Sequence, residues 1–183
     1  MQDMKVSREQ ASRNREKVVA TASRLFRAHG VDGVGIGEVM RACDLTHGGF
    51  YNQFESKDAL AAEACTAALT KSAAWWRAIA ADAEDAAAAI ADDYLSPRNR
   101  DAPETGCALI ALGPDAARKG GGLARAFRQG LEELAGILAE HGGMDRQAAL
   151  ARLAQMVGTM VLARAVDDAA LSDEILQAVR AEM

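Results

Sequence analysis

The stretch LTHGGFYNQF, Leu45–Phe54, puts two adjacent glycines, poor helix formers, just before Phe50, Tyr51 and Phe54 in sequence that otherwise reads as helical. Upstream, IGEVMRAC (36–43) places Ile36, Val39 and Met40 on one side of a short helix, and Asp44 permits a turn. Thr46 is a good N-cap for a second short helix. Two short helices across a tight turn, preceded by a longer one, form a helix-turn-helix unit. In such units the N-terminal residues of the second short helix meet base edges and phosphates. Glycine at 48 and 49 lets the backbone come close to a phosphate or groove wall, and a helix N-terminus favours an anion. Phe50 and Phe54 are expected to pack inward, leaving the Tyr51 hydroxyl to reach outward.

Outward from this unit the chain reads as helix throughout. Val18, Ala22, Leu25 and Phe26 recur on one helix face, and Gly30 supplies a left-handed C-terminal cap. VDGVGIG (31–37) is a glycine-rich connection. Ser56 is an N-cap for a long helix running through Leu60, Leu69 and the pair Trp75–Trp76. An alanine-rich helix ends near Tyr94 and Leu95, and SPRNRDAPETG (96–106) reads as a loop. CALIAL (107–112) follows, with Pro114 opening a new helix or bending the old one. RKGGG (118–122) reads as a second loop. Phe127, Leu131, Leu134 and Leu138 form a stripe that ends at Gly142–Gly143. Leu150, Leu153, Val157, Met160 and Val161 form another, with Met156 and Leu162 lying outside it, so this helix needs two partners. Ser172, followed by Asp173 and Glu174, is expected to cap a last helix carrying Ile175, Leu176 and Val179. No strand pattern or repeat is visible. The expected fold is all-α, with about nine helices.

The chain has 183 residues, half of them hydrophobic, and three prolines, enough for a sizeable helical core. The polar N-terminus lacks a signal-peptide core, no apolar run approaches a membrane span, and Cys43, Cys65 and Cys107 fit neither a disulfide framework nor a metal motif. A cytoplasmic, reduced protein without cofactor or metal is expected. The net charge of −5 excludes a uniformly basic nucleic-acid binder, but the charge is uneven. Residues 1–54 carry eight Lys/Arg against six Asp/Glu, and residues 59–183 carry 12 against 18. Such a chain can bind DNA with one end only. Lys5, Arg8, Arg13, Arg15 and Lys17 are either a minor-groove arm or a solvated tail.

REKVVATASRLFRAHG and IGEVMRACDLTHGGFYNQFESKDAL together resemble the N-terminal DNA-binding domain of tetracycline-repressor (TetR)-type regulators, over roughly residues 13–62. The order ending Tyr51-x-x-Phe54-x-Ser56-Lys57 carries most of the specificity. Residues 63–183 resemble the family only as a helical ligand-binding and dimerisation domain, and GCALIAL looks like the start of the sixth helix in some members. The resemblance implies a DNA-binding domain at 1–62 and a ligand-binding and dimerisation domain at 63–183. It also implies phosphate and groove contacts from Thr46 and His47, and an approach to base edges lined by Gly48 and Gly49. Further phosphate and base contacts fall to Tyr51 and Asn52, and a backbone contact to Lys57. Gly35 stands where a hydroxyl cap is common, Asp44 replaces the common turn glycine, Gly49 replaces a side chain, and His47 stands where lysine is frequent.

In the body, Trp75 and Trp76 read as core or as the wall of a cavity for an apolar effector. Cys107, Phe127, Met156 and Met160 are further candidate wall residues, Met156 and Met160 reading first as core or dimer seam. Tyr94 and His141 read as lone polar rings with satisfied structural roles. Cys107, at a probable helix start, reads as a buried small residue or as an activated thiol. His29, His47 and His141 are far apart and no nucleophile-base spacing stands out, so a catalytic site is not expected. The expected function is a dimeric, ligand-responsive regulator of a near-palindromic DNA operator, most often a repressor in this family, pairing through its last two helices at about 145–165 and 172–182. A thiol-based redox regulator on the same fold and a helical enzyme are the alternatives.

Overall fold

The computed structural model describes residues 8–183, so Lys5 lies outside the described residues. Among these, nine α-helices and one 3-10 turn account for the regular structure. They are α1 (Arg8–His29), α2 (Ile36–Ala42), the turn His47–Gly49, α3 (Lys57–Asp82), α4 (Ala86–Tyr94), α5 (Pro97–Asp101), α6 (Ala108–Lys119), α7 (Gly121–His141), α8 (Arg146–Ala165) and α9 (Ala169–Arg180).

α1 buries Val18, Ala22 and Phe26 and ends where expected, at Gly30 with φ +74° and its amide bonded to the Phe26 carbonyl at 2.9 Å. Ser56 caps α3, its hydroxyl accepting from the Ala59 amide at 3.1 Å. α3 packs most extensively on α7. The crossing depends on Gly130, where a Cβ would stand 2.7 Å from the Leu69 Cβ, so no larger residue allows the two backbones this close. Phe127 and Leu131, on the α7 stripe, are half-buried; Leu134 and Leu138 are in the core.

Three local expectations are corrected. The segment 96–106 is not loop throughout: Ser96 caps α5 by accepting from the Asn99 amide at 3.2 Å, with Pro97 at the first helical position, where its missing N–H costs nothing. RKGGG is not a loop either. Only Gly120, at φ +63°, separates α6 from α7, and Pro114 sits inside α6. Ser172 is not the cap of α9. Asp168 takes that place, accepting from the Leu171 amide at 3.0 Å. Ser172 is buried instead, donating to the Ala163 carbonyl at 2.6 Å and accepting from Arg100 at 3.0 Å.

One continuous core runs from Val18 in α1 to Leu176 in α9. The boundary at residue 62/63 falls inside α3, which is common to both parts. Polar contacts fasten the first two helices to the rest. Arg15 pairs with Glu63 at 2.6 Å, and Arg27 donates to the Gly106 carbonyl at 2.6 Å. Lys119 pairs with Asp32 at 2.6 Å, and the Val31 amide donates to the buried Asp115 carboxylate at 3.1 Å.

Candidate nucleic-acid interface

Val39, Met40, Cys43, Phe50 and Phe54 are all buried and hold α2 and the following turn against α1. The Phe50 and Phe54 rings stack with centroids 5.4 Å apart, as inward packing requires. Asp44 takes φ +57°, the left-handed conformation that a glycine would adopt freely. Lys17 steadies this turn by donating to the Cys43 carbonyl at 2.8 Å and to the Asp44 carboxylate at 3.2 Å.

The segment after the turn is not an α-helix. Residues 47–49 form a single 3-10 turn and 51–53 continue as turns, because two glycines leave too little helix propensity in so short a piece. Thr46 stands at the N-cap position but its hydroxyl makes no capping bond, which corrects that expectation. Thr46, His47, Gly48, Tyr51 and Asn52 are exposed, Tyr51 to 63 %; Gly49 and Lys57 are half-buried. The His47 and Tyr51 rings lie side by side, 6.3 Å between centroids.

The glycines here have separate reasons. Gly37 in α2 makes room for His47, whose Nδ1 would lie 3.3 Å from a Cβ at 37. Gly49 makes room for the Thr46 hydroxyl, 3.5 Å from a Cβ at 49. Gly48 has no neighbour within 4 Å of a Cβ and no positive φ, so nothing inside this chain requires glycine there.

The basic residues of α1 are largely engaged within the protein. Arg13 pairs with Glu9 at 3.2 Å, and Lys17 is held at the turn. Arg15 pairs with Glu63 and lies 4.7 Å over the Phe54 ring. Helical spacing allows the Arg13–Glu9 pair, but it could not show those of Lys17 and Arg15, whose partners are 26 to 48 residues away.

In the body, Trp75, Trp76 and Cys107 come together around a cavity of about 250 Å³ between α3, α4, α5 and the start of α6. Phe127, Met156 and Met160 line no part of it. Met156 and Met160 are wholly buried in the core, and Phe127 packs beside Gly113. Trp76 meets Tyr94 edge-on at 5.7 Å, and the Trp75 indole donates to Asp93 at 2.9 Å. The expectation that Tyr94 is satisfied is corrected: its ring is buried, and its hydroxyl, close to the Cys107 thiol, makes no hydrogen bond of ordinary geometry. Cys107 occupies the N-cap of α6, but burial pushes its thiol up. The Leu109 amide, Tyr94, Ser72 and Arg27 oppose that shift without overcoming it. His141 is exposed at the end of α7.

Among the described residues no group of His, Cys, Asp and Glu is arranged to hold a metal ion. No helix among them is long and apolar enough to cross a membrane.

Residues 18–64 match the family described as bacterial regulatory proteins, tetR family. No curated protein sequence matches the chain. Among solved structures, a TetR transcriptional regulator from Chloroflexus aurantiacus is 24 % identical with a TM-score of 0.79, covering 94 % of this chain and 95 % of its own. The reduced form of Escherichia coli NemR is 19 % identical with a TM-score of 0.78, covering 93 % and 94 %. A TetR transcriptional regulator from Legionella pneumophila is 17 % identical with a TM-score of 0.73, covering 98 % and 100 %. At these identities the structural likeness establishes the fold, and the match over 18–64 establishes the head. Residues 18–64 therefore match the tetR family of bacterial regulatory proteins, and the chain as a whole has the fold of the solved TetR-type regulators.

Proposed function

We propose that the chain is a ligand-responsive repressor that grips a near-palindromic operator with the heads of a homodimer and lets go when a small molecule enters the body. The observation that carries this reading is the exposed surface Thr46–Asn52, raised on the buried Phe50 and Phe54 of a TetR-type head. Thr46, His47, Tyr51 and Lys57 supply phosphate contacts, Asn52 reaches a base, and Gly48 and Gly49 let the groove wall approach. The head comprises residues 1–62 and the body residues 63–183, joined through α3. The dimer forms through α8 and α9, where Val161, Leu162 and Leu171 are exposed apolar side chains that a second copy would cover. Binding and release take place in the cytoplasm, and the chain performs no catalysis. Its histidines, at the ends of α1 and α7 and in the 3-10 turn, form no common site. A thiol-switched version of this regulator would depend on Cys107. Burial holds that thiol in its neutral form, which favours the effector reading.

The test is selection of duplexes from a random pool, followed by anisotropy titration of the winner across salt concentrations. A palindromic consensus is expected, with affinity falling steeply as salt rises. Tyr51→Ala combined with Lys57→Ala should weaken binding on every sequence. Undiminished binding by that double variant would refute the assigned face.

A further inference from the structure

The exposed surface Thr46–Asn52 contains one imidazole, that of His47, and imidazole is the side chain that gains its charge between about pH 8 and 5. The other two histidines lie outside this surface, His29 at the end of α1 and His141 at the end of α7, and both are exposed. A change of charge near neutral pH on this surface therefore falls to His47.

The ring is exposed, yet its seat is built. One edge rests against α2 at Gly37, where a Cβ would stand 3.3 Å from the His47 Nδ1 and would meet no other atom within 4 Å. Glycine weakens a helix of only seven residues, and the space it leaves at 37 is taken by this ring alone. On the other side lies the Tyr51 ring, 6.3 Å away between centroids and inclined at 59°. Packing thus holds the imidazole in place, and among the described residues no hydrogen bond or ion pair holds it. The charged groups carried by the surrounding elements are Glu38 and Arg41 on α2, Glu55 before α3, and Lys57 and Asp58 at the start of α3. Lys17 and Asp44 are paired with each other at 3.2 Å, and Asp58 lies 3.7 Å from Lys119. None of these is bonded to His47, so a proton taken up by the ring leaves a positive charge that no described carboxylate neutralises.

Building on the DNA-binding reading above, we infer that His47 makes the grip on DNA depend on pH. The protonated ring pairs with a backbone phosphate, and the neutral ring leaves that phosphate to its counterion. The phosphate stabilises the charged ring, so by reciprocity the complex takes up protons and affinity rises as pH falls. Each head of the homodimer gains one ion pair. Because a phosphate and not a base is the partner, the gain is the same on every sequence, and acidity tightens the grip without sharpening its specificity.

The test titrates the full-length protein onto the selected duplex across salt concentrations, at about pH 8 and at about pH 5.5, the span over which imidazole takes up its proton. Thermal melts at both pH values establish that the protein is folded in each. The log–log salt slope should become more negative by about 1.8 at the lower pH, from two phosphates at about 0.9 each, and affinity near 0.1 M salt should rise by about tenfold or more. His47→Gln should keep the shallow slope at both pH values, and His47→Lys should show the steep slope at both. His29→Gln should respond to pH as the wild type does. A wild-type slope that is equal at the two pH values, a His47→Gln protein that still tightens as pH falls, or loss of the response in His29→Gln would each overturn the inference. Binding without pH dependence would leave the DNA reading standing and sink this inference alone. If no duplex is held at either pH, the regulator reading fails and the inference fails with it.

Discussion

Asp115→Ala tests how the head is fastened to the body. Asp115 is 3 % exposed on α6; its Oδ2 accepts from the Val31 amide at 3.1 Å and its Oδ1 from Arg118 at 2.8 Å. Val31 is fully buried just after the α1 cap, so the substitution leaves its N–H buried and unmatched. An orphaned buried donor costs about 1–3 kcal/mol. The Arg118 pair adds no more than about 1 kcal/mol, because that side chain is 64 % exposed and screened by solvent. A total of about 1–4 kcal/mol is expected. At roughly 2–4 °C per kcal/mol for a chain of this size, the melting temperature should fall by about 2–16 °C. Asp115→Asn keeps an acceptor for Val31 and should recover much of that loss, whereas Arg118→Ala should cost under about 1 kcal/mol. Urea unfolding followed by tryptophan emission, at fixed protein concentration so that dimerisation does not shift the midpoint, measures all three. If Asp115→Ala costs no more than Arg118→Ala, the buried bond to Val31 does not hold the head and the reasoning fails.

Gly130→Ala should destabilise by about 1–3 kcal/mol or more, since the new methyl meets the Leu69 side chain, and thermal unfolding reads this directly. Leu162→Glu puts a charge on a residue that is 59 % exposed in the single chain; light scattering should find monomer at micromolar concentration, and a persistent dimer would move the interface away from α8. Burial pushes the Cys65 thiol up to about 12 and also raises Cys107. The folded state therefore keeps protons that the unfolded chain releases above about pH 9, and through Cys65 stability should fall from there towards pH 12 by up to about 1.4 kcal/mol per pH unit, Cys107 acting in the same direction. Cys65→Ala should flatten that fall, and native-state alkylation at pH 8 should be slow for both thiols until denaturant is added.

Much of the fold was legible because its signals are local. The Gly30 cap, the Ser56 cap and the inward pair Phe50–Phe54 each depend on residues within one or two turns, and the structure reproduces them. Asp44 was read as a turn and takes the left-handed conformation that a turn there needs. The misread positions had two comparable local solutions. Asp168 and Ser172 are both good caps, and the choice fell to Asp168 once the Ala163 carbonyl and Arg100 captured the Ser172 hydroxyl. The 3-10 form of His47–Gly49 is a similar case, since the pattern of the motif is kept while Gly48–Gly49 withholds the propensity for a full helix.

By itself the sequence determined an all-helical chain and a helix-turn-helix head resembling the TetR type, since periodicity, caps and motif order are properties of neighbouring residues. Tertiary structure alone decided which polar groups are used and which are left vacant. Arg15 and Lys17 were drawn from a basic arm into ion pairs with Glu63 and Asp44. Trp75, Tyr94, Asn99 and Cys107 became the walls of one cavity, while Phe127, Met156 and Met160 went elsewhere. The Tyr94 hydroxyl is shut in beside the Cys107 thiol only because α3, α4 and the start of α6 close around it. Satisfaction of a buried polar group depends on what lies within about 3 Å of it in space, and spacing along the chain carries no record of that distance.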